Sequence, residues 1–177
     1  MRTIFGGMLL TGLLCSLSPT LAQDEKTPKR FSPKGGDWSA AFPGEVKTIK
    51  QSLMGIDLTM CAVETADGAY LVSINEMPFD VADLEADEIQ TRLKAARDGA
   101  VTASKAKLIS DRKIKLGNKH PGLELRATIK QPAEGLIRQR IYLVGNKMYQ
   151  IMVLGKEEVA DSDEATKFLN SLELKKK

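Results

Sequence analysis

Leu123-Glu124-Leu125-Arg126-Ala127-Thr128-Ile129-Lys130 alternates apolar and polar side chains through eight residues without a fault. A period of two puts Leu123, Leu125, Ala127 and Ile129 on one side of an extended chain and the polar set on the other. After Gln131-Pro132-Ala133-Glu134-Gly135 comes a second strand, Leu136 to Val144, and Gly145-Asn146 turns the chain into a third, Lys147 to Leu154. These predict a three-stranded antiparallel meander with one face buried.

Working outward, Leu108, Ile114 and Leu116 sit in another alternating run, and Asn118-Lys119-His120-Pro121-Gly122 reads as a turn. Two β-rich runs, Gly55 to Glu64 and Ala69 to Glu76, flank Asp67-Gly68, a pair that tolerates the positive φ of a tight hairpin. Pro78 stops the second run, Glu45 to Gln51 makes a short strand, and Asp37-Trp38-Ser39-Ala40-Ala41-Phe42 ends at Pro43-Gly44. Between the halves the period changes. Leu84, Ile89, Leu93, Ala96 and Ala100 recur at mostly helical spacing, predicting an amphipathic helix from Asp83 to near Lys105, with its acids clustered at the start. Ser162-Asp163-Glu164 reads as the cap and first turn of a last helix, with Ala165, Phe168, Leu169 and Leu172 as its apolar face. Strands, helix, strands, helix make an α+β fold: a mainly antiparallel sheet of about six or more strands, one long central helix and a C-terminal helix.

The ends set the compartment. Arg2, the apolar run from Ile4 to Leu17, Pro19 and Thr20-Leu21-Ala22 have the parts of a cleavable secretory signal over residues 1–22. The apolar stretch is shorter than the roughly 20 residues that cross a bilayer, so no integral span is expected after cleavage. Residues 23–35 form a polar lead-in not expected to pack, residues 36–174 a single α+β domain, and residues 175–177 a lysine tail. Cleavage removes Arg2 and Cys15, taking the 26 basic residues to 25 against 23 acidic. That near-neutral balance lacks the basic excess of a nucleic-acid binder. Cys61 is then alone, so no internal disulfide can form, and its apolar neighbours predict a buried thiol.

Three stretches resemble the PsbP-like α+β sandwich, the fold of photosystem extrinsic subunits, a nuclear Ran-binding factor and DcrB-like exported bacterial proteins. They are Phe31…Gly36-Asp37-Trp38-Ser39-Ala40-Ala41-Phe42-Pro43-Gly44, the hairpin Arg140-Ile141-Tyr142-Leu143-Val144-Gly145-Asn146-Lys147-Met148-Tyr149-Gln150-Ile151, and Ala165…Phe168-Leu169-Asn170-Ser171-Leu172. All three are packing patterns. The resemblance implies an accessory or binding protein and supplies no catalytic motif that maps onto these residues.

The residues carry little catalytic chemistry of their own. A Ser-His-Asp or Cys-His site would have to use His120, the one histidine, which the turn reading leaves in solvent. One histidine and one remaining cysteine cannot build a zinc set, and Asp80, Asp83, Glu85, Asp87 and Glu88 lack the spacing of a calcium loop. No cofactor or metal is expected. With residues 131–135 as a hairpin loop, Arg126 is expected opposite Arg140, Thr128 opposite Arg138 and Glu124 opposite Tyr142. Like charges placed opposite one another repel. Arg126, Arg138, Arg140 and Tyr142 are therefore the candidate site for an anion or an acidic protein partner, and Glu124 makes a self-neutralising surface the alternative. The expected function is a non-catalytic exported binding module acting through a protein partner in the cell envelope. The alternative is a small-ligand carrier or an enzyme with a carboxylate-based pocket.

Overall fold

The period-two runs become a seven-stranded antiparallel sheet in the order β3-β4-β5-β9-β8-β7-β6. Its strands are β3 (Lys47–Leu53), β4 (Ile56–Glu64), β5 (Gly68–Glu76), β6 (Lys107–Leu116), β7 (His120–Ile129), β8 (Gly135–Val144) and β9 (Lys147–Gly155). A second sheet, in the order β1-β2-β10, joins β1 (Lys29–Phe31), β2 (Trp38–Phe42) and β10 (Glu173–Leu174). The helices are α1 (Ala86–Ala103), α2 (Glu157–Ala160) and α3 (Asp163–Asn170). This computed structural model describes residues 28–53, 56–130 and 134–175. The expected signal, residues 23–27 of the lead-in and Lys176–Lys177 lie outside the described residues, as does most of the 131–135 loop. Among the described residues no helix is long and apolar enough to cross a membrane.

The large sheet is covered on both sides, where one buried face was expected. On one side α1 packs over β7 and β8, and Leu93 is buried against Leu123, Leu125, Ala127, Ile137, Ile141 and Leu143. On the other, the small sheet, α2 and α3 close over Tyr70, Val72, Tyr142, Tyr149, Ile151 and Val153. Burying a large apolar side chain contributes roughly 1.5–3 kcal/mol, so the rings of Trp38, Phe42, Tyr70 and Phe168 anchor this second layer. Phe168 meets Phe42 and Tyr70 at centroid distances of 5.0 and 5.2 Å.

Local chemistry accounts for the helix ends. Glu85 and Glu88 form a capping box at the start of α1, and the side chain of Asp80 accepts from Ala82 N at 2.9 Å in the 3₁₀ turn that precedes it. The acidic run is thus engaged in starting helices. Ser162 caps α3 as expected, its Oγ accepting from Ala165 N at 3.0 Å.

Part of the lead-in packs, against expectation. Lys29–Phe31 pairs with β2, and the Phe31 ring lies 5.9 Å from that of Phe42. One aromatic at the end of a polar stretch is enough to dock three residues on an aromatic cluster. Cys61 is fully buried, with burial pushing its thiol up and Thr48 Oγ1 3.6 Å from its sulfur.

Candidate functional site

The β7–β8 hairpin keeps the expected faces but not the expected partners. Glu124 stands opposite Arg140, Arg126 opposite Arg138, Thr128 opposite Leu136, and Gly122 opposite Tyr142. The register differs by two residues, which conserves face and changes every neighbour. The cause is Gly135, expected in the loop but paired with Ile129 as the first residue of β8. A Cβ on Gly135 would meet the Gly155 carbonyl oxygen at 2.8 Å, so glycine is what lets β8 and β9 approach there.

The three arginines lie beneath α2 and α3. Arg140 Nε donates to Glu124 Oε2 at 2.5 Å, and its Nη1 donates to the carbonyl of Leu169 at 2.9 Å and to Asn170 Oδ1 at 2.7 Å. Arg138 Nη1 donates to the Ala160 carbonyl at 3.0 Å and to Thr166 Oγ1 at 3.1 Å. Leu169 and Ala160 close α3 and α2, so each guanidinium satisfies a helix-end carbonyl and faces the negative end of the dipole. Arg126 Nη2 donates to Asp161 Oδ2 at 2.5 Å, and Asp161 Oδ1 lies 3.9 Å from Arg138. The anion between the two facing arginines is a carboxylate of the chain itself. Burial alone would raise the Glu124 carboxyl, but the guanidiniums of Arg140 and Arg112 outweigh it and hold it below its ordinary range. Tyr142 is buried over Gly122, where a Cβ would come within 2.4 Å of the ring.

Arg140 and Tyr142 also border a cleft of about 1140 Å³ at one end of the sandwich, whereas Arg126 and Arg138 do not line it. The end of β6 and its turn bring Lys115, Lys119 and His120 to one wall. Gly117 and Asn118 make that turn tight, at φ 57° and 58°. The β8–β9 turn brings Asn146 and Lys147, the 3₁₀ segment Asp80, and the chain after α3 Glu173 and Lys175. Backbone bonds hold these parts together: Met77 N donates to Asn146 O at 2.7 Å, Val81 N to Gly145 O at 3.0 Å, and Lys175 N to Asp37 O at 2.8 Å.

The charges of the cleft are not equally engaged. Lys147 Nζ lies 2.8 Å from Asp37 Oδ2. Burial raises the Asp37 carboxyl, but Lys147 and Tyr149 outweigh it and hold it below its usual value, while burial and then Asp37 push the Tyr149 phenol upward. Among the described residues, Lys115, Lys119 and Lys175 make no ion pair within 4 Å. His120 opens β7 and is half-buried, where the turn reading left it in solvent; burial and then Lys119 lower its pKa, favouring neutral imidazole. Among the described residues no three His, Cys, Asp or Glu side chains converge as metal ligands.

Sequence reasoning missed the cleft because its walls come from five separate segments. The one local signal was Lys115 and Lys119 on either side of Gly117-Asn118.

No protein-family model matches the chain, and no curated protein does. Among solved structures, the solution structure of cyanobacterial PsbP (CyanoP) from Synechocystis sp. PCC 6803 is similar, with a TM-score of 0.57 at 16% identity. That match covers 89% of this chain and 98% of the other, so the fold is PsbP-like nearly throughout. A Bacteroides thetaiotaomicron VPI-5482 structure matches at a TM-score of 0.45 and 13% identity, over 85% of this chain and 50% of its own.

Proposed function

We propose that this chain, which has the PsbP-like fold, is a non-catalytic exported binding module whose end cleft receives the carboxylates of a protein partner. The observation that carries the reading is the cleft lining of Lys115, Lys119, His120 and Lys175, whose three lysines make no ion pair within 4 Å among the described residues. Exposed cations of this kind steer an acidic partner and fix its register more than they add raw affinity. Export rests on the sequence of residues 1–22. Arg140 and Tyr142 serve as the floor of the site. Arg126 and Arg138 act at one remove, holding α2 and α3 over the sheet so that the segment after α3 closes the cleft.

The second reading, a small-ligand carrier or an enzyme with a carboxylate-based pocket, draws on Asp37, Asp80 and Glu173 in the same cleft. Asp37 is held ionised by Lys147 and Tyr149, which suits an anchor rather than a proton donor. Calorimetric titration of the protein with a Glu-rich decapeptide separates the two. The binding-module reading expects affinity that falls with added salt and falls about tenfold in Lys119→Glu. Equal affinity in that variant would contradict it.

A further inference from the structure

From the β6 edge of the large sheet, we infer that the partner segment continues out of the cleft along β6 and adds to the sheet as an eighth strand. This rests on the cleft reading and extends it. β6 is the last strand of its sheet, and its outer edge has no strand partner among the described residues. The β-bulge between Leu108 and Ser110 sets Ile109 outward, 54% exposed, and leaves Ser110 to Leu116 as the continuous edge. Seven residues of added strand span about 23 Å.

The charge along this edge selects the occupant. From Lys105 to His120 the chain has six lysines and arginines against one acid, Asp111, and Asp111 is already paired with Arg97 at 2.5 Å. The cations straddle the edge. Lys113 and Lys115 stand opposite Leu123 and Pro121 on the α1 side, whereas Lys107 and Arg112 stand opposite Thr128 and Glu124 on the α3 side, Arg112 reaching Glu124 at 3.0 Å while its side chain stays 67% exposed. A flat anionic surface laid on either face meets only half of them. An extended acidic segment docked on the edge alternates its own side chains across both faces and meets the whole set, while its backbone pairs the free N–H and C=O groups. The same lysines repel a second copy of β6, so the edge is closed to self-pairing and open to an acidic strand. Lys115 belongs to both the edge and the cleft, which makes the path continuous.

The test uses the octapeptide Glu-Glu-Val-Val-Glu-Glu-Val-Val, which places glutamates on both faces when extended, and the same peptide N-methylated at its four valines, which removes N–H donors from both of its edges. The expected result is binding of the first peptide with slowed hydrogen exchange at amides of residues 110–116, and binding of the second at least about tenfold weaker. Equal binding of the two peptides would overturn strand addition. So would binding of phosphatidylglycerol vesicles with no binding of either peptide. Lys119→Glu separates this inference from the reading beneath it. If that variant binds normally while N-methylation abolishes binding, the edge stands and the cleft fails. If Lys119→Glu loses binding while the N-methylated peptide binds as well as the plain one, the cleft stands and the edge is overturned.

Discussion

The arginines of β7 and β8 and the lysines at the end of β6 lie one strand apart and make opposite use of positive charge. Arg138 and Arg140 are 13% and 11% exposed and spend their donors on helix-end carbonyls, Thr166, Asn170 and Glu124. Lys113 and Lys115 stand at an exposed edge with no carboxylate within 4 Å among the described residues. A guanidinium has five donors in a fixed plane and can satisfy two helix ends at once; an ammonium on a flexible stem leaves water only for a strong reason. Charge already matched inside the fold holds the layers together, and charge left unmatched at the surface is available to a partner.

The comparison breaks most visibly at Glu124. Glu124→Ala strands Arg140 beneath α3, and removing one member of such a buried pair costs about 3 kcal/mol. Thermal unfolding should show the Tm falling by roughly 10 °C. A shift within error would mean that the arginine face is not structural. Asp161→Ala comes next. Arg126 is 37% exposed, so solvent recovers part of the loss, and a destabilisation of about 1.5 kcal/mol is expected from urea denaturation.

Acid should act through the same groups. The Glu124 and Asp37 carboxyls are held below their ordinary values of 4.5 and 3.8. A carboxyl depressed in the fold contributes stability that is present above its unfolded pKa and lost as pH falls through the folded one. The urea midpoint should therefore fall as pH drops from about 5 toward 3, and Glu124→Gln should flatten that fall. An unchanged acid limb in Glu124→Gln would remove the Glu124–Arg140 pair from the account. The smallest expected effect on stability sharpens the contrast from the other side. Lys113→Glu at the exposed edge should move unfolding by no more than about 0.5 kcal/mol while weakening the acidic peptide. A large loss of stability there would show that the edge lysines, too, are structural.

How much of this was legible in the sequence follows from the range of each interaction. The runs at 123–130, 136–144 and 147–154, the Asp67-Gly68 hairpin, α1 and the Ser162 cap are local patterns, and all of them appear as elements. α2 and β10 are four and two residues long, too short to show a period. The parity of β7 and β8 put Glu124, Arg126, Arg138, Arg140 and Tyr142 correctly on one face. Register depends on where a loop ends, and Gly135 entered the strand because it packs on Gly155, twenty residues away. Asp161 and the α3 carbonyls that answer the arginines are likewise distant in sequence. The cleft needs Asp37, the β6–β7 turn, the β8–β9 turn and the chain after α3 together, which no local pattern carries.

The most direct measurement is an amide chemical-shift titration of the isotopically labelled protein with a Glu-rich peptide. The account predicts shifts that saturate at Lys115 to His120, Asn146 and Lys175, with the amides of Arg126 and Arg138 unmoved. Shifts centred on Arg126, Arg138 and Asp161, with the cleft silent, would contradict it: the acidic partner would then displace the carboxylate of the chain itself, and the arginine face would be the site.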